Sequence, residues 1–331
     1  MEPQTPNKDI YWLSNGKKFY HKLDAWDHTD CLIEPTFYHF DKEYDAYDWN
    51  IEPSESFNTL CKYRAEQLRD QYDYLRFWYS GGSDSHTALL AFVENNVHID
   101  EIVVWRMSPS DNFEGGGNAE SNEIALPYIK QLDLSKTKIT ILDLGEAYYQ
   151  WFYNHENWTR LTTNYEFRPN NLNTIYEWNN DLFRDDTFCD IIGGEKPKIN
   201  IDENSTMFWD SNRDYQLGSY FVEDFFITPN LIDLHCKQSH LALQALQQYD
   251  AKSKKYFGSF RTLYKQNESL GKSWDIYTPK CVFAIEEATV KLLDKYFSGL
   301  EIEGRYNKHR FNKEDIKHKI RGTSTKLYRM K

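Results

Sequence analysis

Tyr74-Leu75-Arg76-Phe77-Trp78-Tyr79 runs into Ser80-Gly81-Gly82-Ser83-Asp84-Ser85, which leads into His86-Thr87-Ala88-Leu89-Leu90-Ala91-Phe92-Val93. The first run is short, aromatic and aliphatic, as a buried strand is; the last reads as a helix. Strand, glycine turn, helix is the arrangement that aims backbone N–H groups and a helix N-terminus at an anion. Gly81 and Gly82 remove the Cβ atoms that would hold an oxyanion off the backbone. Ser80, Ser83 and Ser85 add hydroxyl donors. Asp84 adds a carboxylate, which suits a divalent cation seated on phosphate oxygens. The bland alternative is a tight turn between a strand and a helix.

Strand-like and helix-like runs alternate on both sides of this stretch. Pro53 and Ser54 mark a helix start, and Phe57, Leu60, Cys61, Ala65 and Leu68 recur at helical spacing through Tyr72. The pattern predicts strands at Tyr74–Tyr79, Glu101–Arg106 and Lys138–Leu144, and a motif helix from Ser83 to Glu94. It also predicts a loop tipped by Gly115-Gly116-Gly117 and a helix over Ala119–Leu132, bent near Pro127. Cys189-Asp190-Ile191-Ile192 predicts a fourth strand. Strands alternating with helices imply a parallel sheet, and near-continuous apolar strands imply helices on both faces. The expected fold class is therefore α/β, a doubly wound, mostly parallel sheet with N-terminal and C-terminal helical or irregular additions. Ligands of such sheets sit beyond the strand C-termini, where the strand order reverses. Ser80–Ser85 lies at a strand C-terminus.

Around this core, residues 1–52 are rich in Tyr, Trp, His and Asp and read as an irregular or β-rich opening packed on the main domain. Residues 53–235 carry the α/β domain, with an aromatic, Asn-rich helical insertion at about 145–187. Its aromatics, Tyr148, Trp151 and Trp178 among them, are expected in the core rather than stacked on a ligand. Residues 236–331 read as a helical C-terminal region ending in a basic tail. One helix runs from Ile232 to about Tyr249 and another over Pro279–Tyr296.

The order S-G-G-x-D-S resembles the PP-loop of the ATP pyrophosphatases, also called adenine nucleotide alpha hydrolases, a family that includes asparagine-synthetase-like and phosphoadenylylsulfate-reductase-like proteins. Two further stretches are similar to those of uncharacterised phage-encoded members. One is Tyr11-Trp12-Leu13 with Gly16-Lys17-Lys18-Phe19-Tyr20. The other is Phe225-Phe226-Ile227-Thr228-Pro229-Asn230-Leu231 followed by His235-Cys236-Lys237-Gln238-Ser239-His240. With them the resemblance spans most of the chain, although only the loop is a specific motif. Gly193-Gly194-Glu195-Lys196-Pro197-Lys198 resembles the second conserved region of the asparagine-synthetase-like enzymes, without their G-x-G-x-D-E as written. Gly271-Lys272-Ser273 is no Walker A loop, because Gln266 stands where the first glycine is needed.

The resemblance implies an adenine nucleotide alpha hydrolase-like fold and cleavage of ATP to AMP and pyrophosphate. ATP would place its phosphates in Ser80, Gly81, Gly82, Ser83, Asp84 and Ser85, with the Gly193-Gly194 turn nearby and adenine beside Val104, Trp105 and Arg106. Mg2+ would be held by Asp84 and Glu195, and Lys196 or Lys198 would neutralise the developing pyrophosphate. The activated acceptor, a small molecule or a nucleobase, is not legible. Glu2 stands where glutaminase-bearing asparagine synthetases carry Cys, and no cysteine pair supports sulfur transfer. The alternatives are a nucleotide-binding protein without turnover, and modification of a nucleotide or nucleic-acid base. His235, Cys236 and His240 read as hydrogen-bonded core groups rather than metal ligands. Asn118, Glu120, Asn122 and Glu123 read as first-turn complements of a helix dipole, Glu123 alone being kept as a candidate ligand.

The chain has 331 residues, 40% hydrophobic and 16% aromatic, enough for a full α/β core. Its net charge of −12 argues against a surface built for nucleic acid. That charge is uneven: residues 301–331 carry +6, which leaves −18 on the first 300. A nucleic-acid role for the tail is therefore the disfavoured reading against docking on the acidic body, and a homo-oligomer is left open. Five scattered cysteines without a C-x-x-C pair fit a reducing compartment. With no leader-like N-terminus and no long apolar window, the chain reads as cytoplasmic and without a membrane span.

Overall fold

The computed structural model describes residues 10–20, 24–25, 28, 36–39, 41–106, 118, 120–145, 147–148, 151, 172–179, 187–193, 198–201, 207–210, 222–247, 324–325 and 327–329. The described chain opens with a hairpin of β1 (Ile10–Ser14) and β2 (Lys17–Phe19), Ser14 opposite Lys17. Asn15 and Gly16 between them have φ of +47° and +76°. That is the left-handed pair a two-residue hairpin turn requires, and Asn-Gly supplies it with least strain. β3 (Thr36–His39) adds antiparallel to β1. The N-terminal addition is thus partly a β-sheet, in keeping with the irregular or β-rich opening expected over residues 1–52. Tyr44 of the short α1 (Asp41–Ala46) and Trp49 just after it enter the main core.

α2 (Phe57–Gln71) starts four residues past Pro53, because the Ser56 side chain accepts from the Thr59 N–H and caps it. β4 (Tyr74–Trp78) then enters the sheet, followed by α3 (Ser83–Val93) and β5 (Glu101–Arg106). The single bent helix expected over 119–132 is instead a π-helical turn, Glu120–Ala125, joined to α4 (Leu126–Ile129). Pro127 lacks the N–H that would reach back to Glu123, and its ring crowds that carbonyl, so the turn before it opens. β6 (Lys138–Asp143) follows. In the region of the insertion, α5 (Leu172–Trp178) leads on to β7 (Phe188–Ile192). β8 (Lys198–Ile201), β9 (Met207–Asp210), β10 (Val222–Asp224) and α6 (Ile232–Gln247) follow in turn. The last described elements are β11 (Ser324–Thr325) and β12 (Leu327–Arg329). The boundary expected at 235/236 falls inside α6, and the helix expected over Pro279–Tyr296 lies outside the described residues.

The main sheet has five strands in the order β10-β7-β4-β5-β6, every neighbouring pair parallel. Alternation along the strands sends side chains to two separate layers. Leu75, Phe77, Ile102, Val104, Cys189 and Ile191 pack with Leu60 and Leu68 of α2, Leu89 of α3, Ile129 of α4 and Leu234 of α6. Trp78, Val103 and Leu142 pack on the other face with Tyr148, Leu172 and Ile175. Helices thus cover both faces, as a parallel sheet requires. Tyr148 is fully buried and stacks with the half-buried Trp151, so these two pack in the core, while the aromatics between residues 152 and 171 lie outside the described residues.

From β4 the chain steps outward to β5 and β6, then returns to β7 on the opposite side of β4. The crossover direction therefore reverses between β4 and β7, the point at which parallel sheets open a ligand crevice beyond their strand C-termini. Among the described residues no helix is long and apolar enough to cross a membrane.

Candidate functional site

Ser80, Gly81 and Gly82 join β4 to α3 at that reversal point. Gly81 has φ of +85°, a conformation an L side chain adopts only with strain. A Cβ there would also lie 2.9 Å from the Glu120 carbonyl oxygen and 3.0 Å from the Ala125 nitrogen. Glycine is needed twice over: once for the turn, once because the π-helical turn rests directly on it. Gly82 is the N-cap residue of α3 and has no side chain to cap it. The first-turn N–H groups of α3 have no carbonyl within the helix to bond, so the helix presents its positive end at the crevice.

Ser80 and Ser85 are tied to each other and to the loop backbone rather than standing as free donors. Ser80 Oγ and Ser85 Oγ are 2.9 Å apart, Ser80 Oγ accepts from the Gly82 N–H at 3.2 Å, and Ser85 Oγ donates to the Gly82 carbonyl at 3.1 Å. The two hydroxyls hold the turn closed. Asp84 stands half-buried in the first turn of α3.

Behind the loop, the Tyr79 hydroxyl and His86 Nδ1 are 2.7 Å apart, and the His86 ring lies edge-on to Tyr128 of α4 at 4.4 Å. Burial lowers the His86 pKa to about 4, so the imidazole is neutral at pH 7. Burial, reinforced by Tyr128 and Glu120, raises the Tyr79 hydroxyl above its ordinary value.

The second wall comes from β7. A Cβ on Gly193 would lie 2.5 Å from Ser85 Cα and 2.7 Å from Ser85 N. The backbone just past β7 is therefore seated against the first turn of α3. Gly194, Glu195 and Lys196 lie outside the described residues, and Lys198 is placed only as the first residue of β8. At the end of β5, the Val104 side chain is fully buried in the core, whereas Trp105 and Arg106 are half-buried at the rim. Arg106 pairs with Asp143 at 3.4 Å, and Ser121 Oγ donates to the Trp105 carbonyl.

The structure places two acidic groups of the π-helical turn differently. Glu123 is exposed, but the Glu120 carboxylate oxygens lie 3.6 and 3.9 Å from the Cβ position of Gly82. Nothing in the local sequence separates the two; the π-helical turn does, by rotating Glu120 toward the loop. Among the described residues no group of three or more His, Cys, Asp or Glu could hold a metal ion. His235, Cys236 and His240 are used in packing. His235 is buried edge-on to Trp49, Cys236 Sγ donates to the Ile51 carbonyl, and His240 Nε2 meets the Trp49 carbonyl at 3.0 Å.

The chain matches no family model, no curated protein and no solved structure among known proteins.

Proposed function

We propose that this chain is an ATP-dependent enzyme of the PP-loop kind, which cleaves ATP to AMP and pyrophosphate and adenylates an acceptor, a small molecule or a nucleobase. One observation carries the reading: a glycine turn with the order S-G-G-x-D-S sits at the reversal point of a parallel sheet, on a helix N-terminus, with Gly193 of the neighbouring strand packed on that helix. Anions bind parallel sheets at such a point.

The oxygen donors fit magnesium, which takes one or two carboxylates and completes its shell with phosphate oxygens and water. Asp84 and Glu120 would hold it, with Glu195 as the further ligand that the resemblance implies. Bound there, it would offset charge on the phosphates. The first turn of α3 orients the phosphate chain, and Gly193 leaves room for the loop to hold its shape. Trp105 and Arg106 offer a rim for the base. An acceptor oxygen attacks the α-phosphorus, the bond to the bridging oxygen breaks, and pyrophosphate leaves toward Lys196 or Lys198. Most of the catalytic effect in this scheme comes from positioning and fixed charge. A cytoplasmic setting belongs to the same proposal.

Pyrophosphate and AMP release, measured with ATP, magnesium and a panel of acceptors, tests the reading. Asp84→Ala is expected to lose turnover by a hundredfold or so while melting as the parent does, because a lost ligand removes several kcal/mol of charge stabilisation. Normal turnover by this variant overturns the assignment. ATP binding without release under every acceptor would instead favour a nucleotide-binding protein.

A further inference from the structure

The last described residues of the chain belong to two sheets at once. Ser324 and Thr325 of β11 run parallel to β3, opposite Thr36 and Phe37. One residue later, Leu327, Tyr328 and Arg329 of β12 run antiparallel to β9, opposite Asp210, Trp209 and Phe208. Among the described residues β3 and β9 have no other partner on those sides. Without β12, β8 and β9 form a hairpin of four residues per strand. A lone two-stranded hairpin is marginal in water, and a third strand is what makes such a unit stable. Without β11, β3 would present a row of unpaired backbone groups.

This hairpin is continuous with the candidate site. Only residues 194–197 separate Gly193, seated on Ser85, from the start of β8 at Lys198. Whatever fixes β8 and β9 therefore limits where the stretch after Gly193 can go.

We propose that residues 324–329 are a strand-complementing clasp. The C-terminal segment adds in cis to the edges of β3 and β9, fastens the N-terminal sheet to the β8–β9 hairpin, and so keeps the second wall of the crevice on the glycine loop. Backbone ladders provide the hold, as they do when a separate peptide adds to a sheet edge. Charge draws the segment to its own chain, since residues 301–331 carry +6 against −18 on the rest. Distance in sequence is a small obstacle, because each doubling of loop length adds only about 0.6 kcal/mol to closure. The tail then serves as an internal strand rather than an arm for nucleic acid. The effect on the crevice rests on the nucleotide reading above; the clasp itself does not.

Hydrogen–deuterium exchange tests it on three samples: the full chain, a chain truncated after Gly322, and the truncated chain with a synthetic peptide of residues 319–331. Truncation is expected to speed exchange of the β3 and β9 amides at least tenfold while β4, β5 and β7 stay protected. The peptide is expected to restore protection saturably. If the truncated chain does not fold, Tyr328→Pro in the full chain, which sets a proline in the middle of the three-residue β12, is expected to open β9 selectively. Unchanged β3 and β9 exchange after truncation or Tyr328→Pro overturns the clasp. So does failure of the peptide to restore protection, a full-length dimer that exchanges its C-termini, or salt-sensitive nucleic-acid binding by the full chain that truncation abolishes. ATP titrations with magnesium on the same samples separate the two proposals. Loss of affinity on truncation, regained with peptide, links clasp to crevice. If the full chain does not bind ATP and the exchange pattern holds, the nucleotide reading falls and the clasp stands.

Discussion

Among the described glycines, Gly193 is the one whose hypothetical Cβ comes nearest to another residue, at 2.5 Å. Its hypothetical Cβ meets backbone, Ser85 Cα and N, so no rotamer change can relieve the overlap. Gly193→Ala is expected to destabilise the fold by about 1–3 kcal/mol, the usual range for overpacking. It is also expected to weaken ATP binding at least tenfold by displacing α3. Gly145→Ala is the control, because its Cβ would meet only Asp143 Oδ1 at 3.8 Å. Thermal melts and ATP titrations on both variants check this, and a Gly193→Ala protein that behaves like the control denies the close approach. At the same scale, the loop was legible from the sequence because its chemistry is local: two glycines, an acid and serines in one turn. Glu120 was not, because only the π-helical turn distinguishes it from Glu123.

Between elements, the tie that joins β4, β7 and α5 is a buried ion pair. Asp190 of β7 accepts from Arg76 Nε at 2.5 Å and Nη2 at 2.8 Å, from Trp78 Nε1 at 2.5 Å, and from the Tyr176 hydroxyl of α5. Arg76 stacks over Phe188 at 4.5 Å, while its Nη1 meets no acceptor among the described residues. Burying two charges sets a large desolvation penalty against their attraction, so the pair is weak evidence of stability, whereas breaking it strands a charge. Asp190→Ala is expected to cost about 3–5 kcal/mol, and the paired replacement Arg76→Met with Asp190→Leu far less. Chemical denaturation of both decides; equal losses would mean that the cost is packing, not charge. Element edges followed local signals where a side chain made them, as Ser56 does for α2 and Asn15-Gly16 for the first hairpin. The π-helical turn departed from expectation because Pro127 was read as a bend in a continuing helix rather than as the cause of a wider turn before it.

For the molecule as a whole, His86 makes stability depend on pH. Its folded pKa is about 4, depressed by burial from 6.5. The unfolded chain therefore binds a proton between those values that the folded chain refuses. Its contribution is intact above pH 6.5 and is lost as pH falls toward 4, by up to about 3 kcal/mol at 1.36 kcal/mol per unit. Denaturation midpoints measured from pH 7 to pH 4 are expected to fall in the parent and to fall less steeply in His86→Gln. Parallel pH profiles for the two would remove the assignment. The wider balance of charge acts at the same scale, since an acidic body and a basic end attract within a Debye length of about 10 Å at moderate salt.

The sequence by itself determined the alternation of strands and helices, the parallel α/β class, the glycine loop at a strand end and the burial of Tyr148 in the core. These follow from periodicity, turn chemistry and apolar content, which act over a few residues. Only the tertiary structure decided that β7 lies beside β4, so that Gly193 meets Ser85, that Glu120 rather than Glu123 faces the loop, and that the C-terminus pairs with β3 and β9. Strand order and edge pairing are contacts between distant segments, made by backbone groups that every residue carries. No local pattern encodes which of them meet, and the choice is made by how all the faces can be buried together.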